Sequence, residues 1–148
     1  MKAVLQRVLK AAVTVDSAVV GEIGPGIAVL FCAEAGDSDD EARRFAHKVA
    51  KMRIFSDENG KTNLDVNQIS GEILAISQFT LAAQWTKGNR PGFSRAEAPE
   101  RAKFLYDLFC ETLRDDGIPV QTGIFAAEMK VDLINDGPFT IVMDSRDG

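Results

Sequence analysis

The chain predicts an α+β domain with largely antiparallel pairing and its helices on one side. Three observations carry this prediction. The first third is rich in β-branched and alternating runs. Two segments, at about 38–53 and 99–115, repeat apolar residues at helical spacing. The order along the chain is strands, helix, strands, helix, strands. With 148 residues, 45% hydrophobic and 26% charged, the chain is one domain (1–148) able to bury a core.

The first strand, AVLQRVLK, places Leu5, Arg7 and Leu9 on one face and Val4, Gln6 and Val8 on the other. AVTVDSAVVGEI holds two β-branched runs around Asp16-Ser17, the pattern of a hairpin. GPG at 24–26 is a turn, and IAVLFCA after it is continuously apolar, a strand buried on both faces. The first helix, about 38–53, sets Ala42, Phe45, Ala46, Val49 and Met52 on one side. Its acids Asp39, Asp40 and Glu41 open it and Lys48, Lys51 and Arg53 close it, as the helix dipole favours. Asn59-Gly60 marks a turn. GEILAISQFTL is a strong strand, followed by a long loop carrying Gly88, Pro91, Gly92 and Pro99. The second helix runs from Pro99 toward Gly117 with Leu105, Leu108, Phe109 and Leu113 on one face. Strands at about 119–123, 127–134 and 139–143 finish the chain.

Several kinds of chemistry have no signature here. The one histidine, His47, sits on the first helix among charged residues, as a solvent-exposed side chain would. No Cys/His cluster has zinc spacing and no G-x-S-x-G elbow is present. NGKTN at 59–63 imitates the tail of a P-loop, but Phe55 stands where its first glycine belongs. Cys32 and Cys110 lie inside apolar runs, which fits buried free thiols in a reducing compartment. No apolar run is long enough to span a membrane, and the N-terminus lacks the apolar stretch of a signal peptide. The expectation is a cytoplasmic protein with no cofactor, metal or membrane partner. An enzyme of this composition would work through binding geometry, backbone N–H donors and hydroxyls. The net charge of −5 argues against bulk nucleic-acid affinity while leaving a local basic patch open.

Two motifs stand out. SQFTL, residues 77–81, ends an apolar strand in polar groups. Those hydroxyls and amides either cap the strand locally or face a substrate carbonyl. NDGPFT, residues 135–140, is either a simple turn or a piece of backbone aimed at a ligand.

Taken in order, QRV near the start, RIFSDENGKTNLD, SQFTLAA, RPGFS, TGIFAAEM and NDGPFT form one series. In this series the chain closely resembles the D-aminoacyl-tRNA deacylase (D-tyrosyl-tRNA deacylase) family, over about residues 1–143. The resemblance implies a barrel-like layered sandwich and a homodimer with active sites at the interface. It implies hydrolysis of the ester joining a D-amino acid to the 3′-end of tRNA, with glycyl-tRNA also accepted and no DNA bound. By resemblance the Gly137–Pro138 bond is cis and enters the other subunit's pocket. Its main-chain carbonyls would hold the substrate α-amino group and leave no volume for an L side chain. Asn135 and Thr140 complete that substrate-binding motif. Ser77, Gln78, Phe79 and Thr80 match the catalytic motif, the amides of Gln78 and Phe79 forming an oxyanion hole. Thr80 is a candidate nucleophile. The alternative, which we favour, is assistance by the terminal 2′-OH of the tRNA, because no side chain of the motif activates a threonine hydroxyl.

Phe125 and Met129 match the segment lining the terminal adenosine's site, or else fill the core. Arg7 either fixes the Gly-Pro loop or is a surface arginine. Lys87, Arg90 and Arg95, with Trp85 and Phe93 interleaved, either meet acceptor-stem phosphates or are solvated loop charges. One departure from the family is Phe139, where Val is usual. A ring turned to the core changes little; one turned to the pocket would alter substrate range. Two other functions fit parts of the pattern: an RNA-end-capturing module without turnover, and an editing domain for L-amino acids.

Overall fold

The computed structural model describes residues 1–147. A long strand β1 (Lys2–Val15) turns at Asp16-Ser17 into β2 (Ala18–Ile23), and β3 (Gly26–Cys32) follows. Asp16 and Ser17 have φ of 48° and 65°, the left-handed pair that a tight hairpin needs. Helix α1 (Asp39–Ala50), the short hairpin β4 (Phe55–Ser56) and β5 (Thr62–Leu64), and β6 (Glu72–Ser77) come next. A 3₁₀ turn (Phe79–Ala82), helix α2 (Pro99–Asp115), β7 (Val120–Thr122) and β8 (Lys130–Asp144) complete the chain.

Strand β1 is the hub. One edge pairs antiparallel with β3 over Lys2–Val8 and with β2 over Ala11–Val15. The other edge pairs antiparallel with β8 from Lys2 to Thr14. β3 then pairs with β6, and β6 with β7, both in parallel. The sheet is therefore mixed, with antiparallel pairs in the majority and strongly coiled into a barrel-like form. Each parallel step is bridged by a helix-bearing crossover, which parallel neighbours require. Gly26 opens β3 hard against Glu72; a Cβ there would overlap the Glu72 carbonyl.

Alternation on β1 breaks where its register shifts, between Gln6 and Val8 and again between Val8 and Lys10. Ala3 and Leu5 face the helices, whereas Val8, Ala11 and Val13 face the inside of the coil. Leu9, expected beside Leu5, is 51% exposed for this reason. The last two predicted strands are one strand, β8, interrupted by a bulge at residues 136–139. β3 is buried on both faces: Ile27, Val29 and Phe31 meet the helices, and Ala28 the coil interior.

Helix α1 starts at Ser38, whose hydroxyl accepts from the Glu41 amide while the Glu41 carboxylate accepts from the Ser38 amide. It ends before Met52, which still packs on the core. Both helices lie on one side of the sheet. Phe31 stacks on Phe109 of α2 at 4.6 Å, with Phe45 of α1 6.4 Å from each ring. Replacing the fully buried Phe109 by alanine should cost about 3–5 kcal/mol of unfolding free energy, read by urea denaturation. A loss below about 1 kcal/mol would show that this aromatic cluster is not what ties helices to sheet.

Candidate active site

Strands β3 and β6 run in parallel and end side by side, with Phe31 opposite Ser77. The last ladder bond is donated by the Gln78 amide to the Phe31 carbonyl, 2.7 Å away. Beyond it the chain tightens into the 3₁₀ turn. The Leu81 amide donates to the Gln78 carbonyl at 3.2 Å and the Ala83 amide to the Thr80 carbonyl at 3.1 Å. The amides of Phe79 and Thr80 open that turn and have no preceding turn to bond to. The Gln78 amide, expected of an oxyanion hole, is bonded to Phe31 within the sheet here, and the amides of Phe79 and Thr80 follow it.

A cavity of about 490 Å³ opens at this strand end. It is lined by Cys32 of β3, Ser77, Gln78 and Phe79, Tyr106 of α2, and Phe125, Ala126, Met129 and Val131 ahead of and on β8. Phe125 and Met129 are half-buried, pack on the two core clusters and also wall the cavity. Ala126, in this wall, has φ of 62°, a left-handed conformation that alanine rarely adopts. The Tyr106 hydroxyl donates to the Ala75 carbonyl at 2.8 Å, and burial pushes its phenol well above the ordinary range. Thr80 stands at the mouth rather than in the lining; its hydroxyl accepts from the Gln78 side-chain amide at 2.6 Å.

Cys32 was not foreseen as a wall of the site. The signal was available in principle, because the carboxyl ends of parallel strands are where ligands bind, but parallel pairing was not read from the sequence. Its thiol lies 3.6 Å from the Phe79 carbonyl and 3.4 Å from the Ala33 carbonyl. Burial, then the nearby Glu34 carboxylate, push its pKa up to about 11. Cys110, in the core, is pushed to about 12, again chiefly by burial.

The second motif lies elsewhere in the chain. The Gly137–Pro138 peptide bond is cis and sits in the β8 bulge, both residues exposed. Gly137 has φ of 138°, and a Cβ there would come within 2.9 Å of the Phe139 amide nitrogen. Asn135 clamps the bulge: its side-chain amide donates to the Arg7 and Phe139 carbonyls at 2.9 Å each, and its oxygen accepts from the Phe139 amide at 3.1 Å. Arg7 donates to the Asp136 carbonyl at 3.0 Å and the Ile54 carbonyl at 2.7 Å. Gln6 donates to the Thr140 hydroxyl at 3.3 Å. The Phe139 ring lies under the Arg7 guanidinium, 4.7 Å from its centroid, and packs on the main core. The larger side chain therefore turns away from the cavity. Arg7 pairs with Ile27, four residues from Phe31 along β3, an offset of about 13 Å in the strand direction, and β8 lies three strands across from β6 by way of β1 and β3.

His47 is more than half exposed, and its Nδ1 lies 2.7 Å from an Asp116 carboxylate oxygen. Among the described residues, no group of three His, Cys, Asp or Glu side chains could hold a metal ion. None of the helices among those residues is long and apolar enough to cross a membrane.

Fold and cavity define an α+β domain that offers a ligand backbone amides, hydroxyls and an aromatic wall at the end of a parallel strand pair. A family model described as D-Tyr-tRNA(Tyr) deacylase matches residues 4–144, and the chain belongs to that family. D-aminoacyl-tRNA deacylase of Paracoccus denitrificans is 57% identical over 99% of both chains. The protein of the same name from Geobacter sulfurreducens is 52% identical, covering 99% of this chain and 96% of its own. Among solved structures, the c-Myc DNA unwinding element binding protein superposes with a TM-score of 0.92 at 41% identity, over 97% of this chain and 98% of its own. A probable eukaryotic D-amino acid tRNA deacylase reaches 0.79 at 20% identity over 96% and 97%, a likeness of fold alone.

The raised thiol pKa of Cys32 has a readable consequence. At pH 8 only about one thiol in a thousand would be ionised. The folded pKa exceeds the unfolded value of 9.0, so the fold favours the protonated form. That stabilising contribution is complete below pH 9.0 and is lost as pH rises toward about 11. Iodoacetamide at pH 8 should therefore label the native protein far more slowly than the urea-unfolded chain. Equal rates in the two states would contradict a buried, protonated thiol.

Proposed function

We propose that this chain is a D-aminoacyl-tRNA deacylase that hydrolyses the ester between a D-amino acid and the terminal adenosine of tRNA and rejects the L form. The observation that carries the proposal is the cavity at the end of β6. There the chain leaves the sheet after the Gln78 amide bonds Phe31, and the amides of Phe79 and Thr80 that follow open a 3₁₀ turn beside the cavity. The adenine packs against Phe125 and Met129. The scissile carbonyl sits at the Phe79 and Thr80 amides, where negative charge develops as water adds to the acyl carbon. The C–O bond to the ribose then breaks and its oxygen takes a proton. A preorganised donor of this kind is worth about 10²–10³ in rate.

The chirality filter needs a second copy of the chain. One protomer holds its Gly137–Pro138 bulge on β8, about 13 Å away in the strand direction and three strands across from the end of β6. In a homodimer the partner's bulge supplies the two carbonyls that receive the substrate ammonium. A screen made of backbone senses handedness at Cα without reading the side chain, so glycine passes as well. Arg7 and Asn135 are the positioning residues that hold this bulge in shape.

In this reading Thr80 is a positioning group. Its hydroxyl is engaged by the Gln78 side-chain amide, which donates to it and takes no proton from it. Neither nearby candidate serves as a base: the Cys32 thiol is held protonated, and His47 with its Asp116 partner lies outside the cavity lining. The 2′-OH of the substrate is then the group closest to the reacting carbonyl. It is the favoured assistant.

Mixed separately with D-tyrosyl-tRNA and L-tyrosyl-tRNA, the protein should accelerate ester loss from the D form alone. Equal loss of both, or none above spontaneous hydrolysis, overturns the proposal. Thr80→Ala should stay within about tenfold of the unaltered chain, while D-tyrosyl-tRNA ending in 2′-deoxyadenosine should not react. A folded but inactive Thr80→Ala protein would favour a covalent route instead.

A further inference from the structure

Beside the cavity lies a second depression of about 590 Å³, lined by Lys2, Gln84, Trp85, Lys87, Arg90 and Arg95 among others. It differs in character from the first. Trp85 is 75% exposed, an unusual state for the largest side chain. Lys87, Arg90 and Arg95 are exposed, and among the described residues none pairs with a carboxylate. Lys2 is already engaged by Glu34 and Asp144 at 3.9 and 3.8 Å. A chain of net charge −5 thus keeps a local positive field on this one loop.

The loop is not slack. The Gln84 amide donates to the Gly92 carbonyl at 2.8 Å and the Gly92 amide to the Gln84 carbonyl at 2.9 Å. Ser94 adds a bond to the Gln84 side-chain oxygen at 3.0 Å. Trp85 and the cations therefore extend from a closed base. That base adjoins the cavity through Phe79, which lines it and meets Phe93 edge-on at 5.2 Å.

We propose that this groove is the track for the single-stranded RNA segment leading out of the cavity, with Trp85 stacking on an unpaired base and Lys87, Arg90 and Arg95 meeting its phosphates. The inference rests on the deacylase reading for what fills the cavity. An exposed indole beside unpaired cations is the pairing that single strands exploit, because every base has a face to stack. A duplex hides its base faces and would use the cations while leaving the tryptophan idle. A chain that enters the cavity by its terminal nucleoside must leave past Phe79, and this groove adjoins that point.

Trp85 is the only tryptophan, so intrinsic fluorescence reports on it alone. An uncharged RNA hairpin ending in single-stranded CCA should quench it, and the same hairpin with a blunt end should not. Trp85→Ala should weaken binding of the CCA hairpin about 5- to 100-fold, and Trp85→Phe should restore most of it. Removing the three cations together should flatten the dependence of log K on log salt by about 2. Against D-tyrosyl-tRNA, Trp85→Ala should raise KM by a larger factor than against D-tyrosyl-adenosine, which lacks the strand. An equal rise for both substrates overturns the proposal, as does binding of the CCA hairpin without quenching. Fluorescence that responds to protein dilution and not to RNA would also overturn it, by showing that a second copy covers Trp85. Should neither ester be hydrolysed while quenching and salt dependence persist, the deacylase reading fails and this one stands.

Discussion

The bond from the Gln78 amide to the Phe31 carbonyl is where the sheet stops, and the site begins at the next residue. Up to that point the β6 amides that face β3 are committed to the ladder. After it the backbone curls into the 3₁₀ turn, which the amides of Phe79 and Thr80 open. Their direction is set by how firmly β3 and β6 are fixed. Both strands are buried on two faces, with Phe31 stacked into the helices and Leu74 and Ile76 inside the coil. A group held this way needs little reorganisation when charge develops beside it.

The same economy governs the Gly-Pro bulge. No reactive side chain is present there; the motif is shaped backbone. Asn135 satisfies two carbonyls and one amide that the interrupted ladder would leave unpaired, and Arg7 ties the bulge to the loop before β4. Buried or half-buried polar backbone without partners would be costly, so these bonds are what allow a break in the middle of a 15-residue strand. Phe139 adds an apolar anchor beneath Arg7, and its extra bulk is taken up by the core rather than by the cavity.

The charged loop 84–95 contrasts with both. It contributes nothing to the two core clusters, and among the described residues its cations pair with no carboxylate. Its hydrogen bonds close its base and tie Arg95 to Ala35. The physical cost of holding three like charges and a bare indole together is small in water, and the arrangement gains meaning only against a polyanion with exposed bases.

By itself the sequence determined the element order, both helices with their apolar faces, the Asp16-Ser17 hairpin and the buried β3. These follow from local periodicity and turn chemistry, which need no partner strand. It also determined the two motifs, through a resemblance along nearly the whole chain. Three things came from tertiary structure alone. The parallel pairing of β3 with β6 brought Cys32 and Tyr106 to the cavity, since pairing direction is set by the crossovers and not by the strand residues. The shifts on β1 turned Leu9 outward, because a bulge moves every later side chain to the other face. The Gln78 amide is committed to Phe31, a fact that depends on where a neighbouring strand ends.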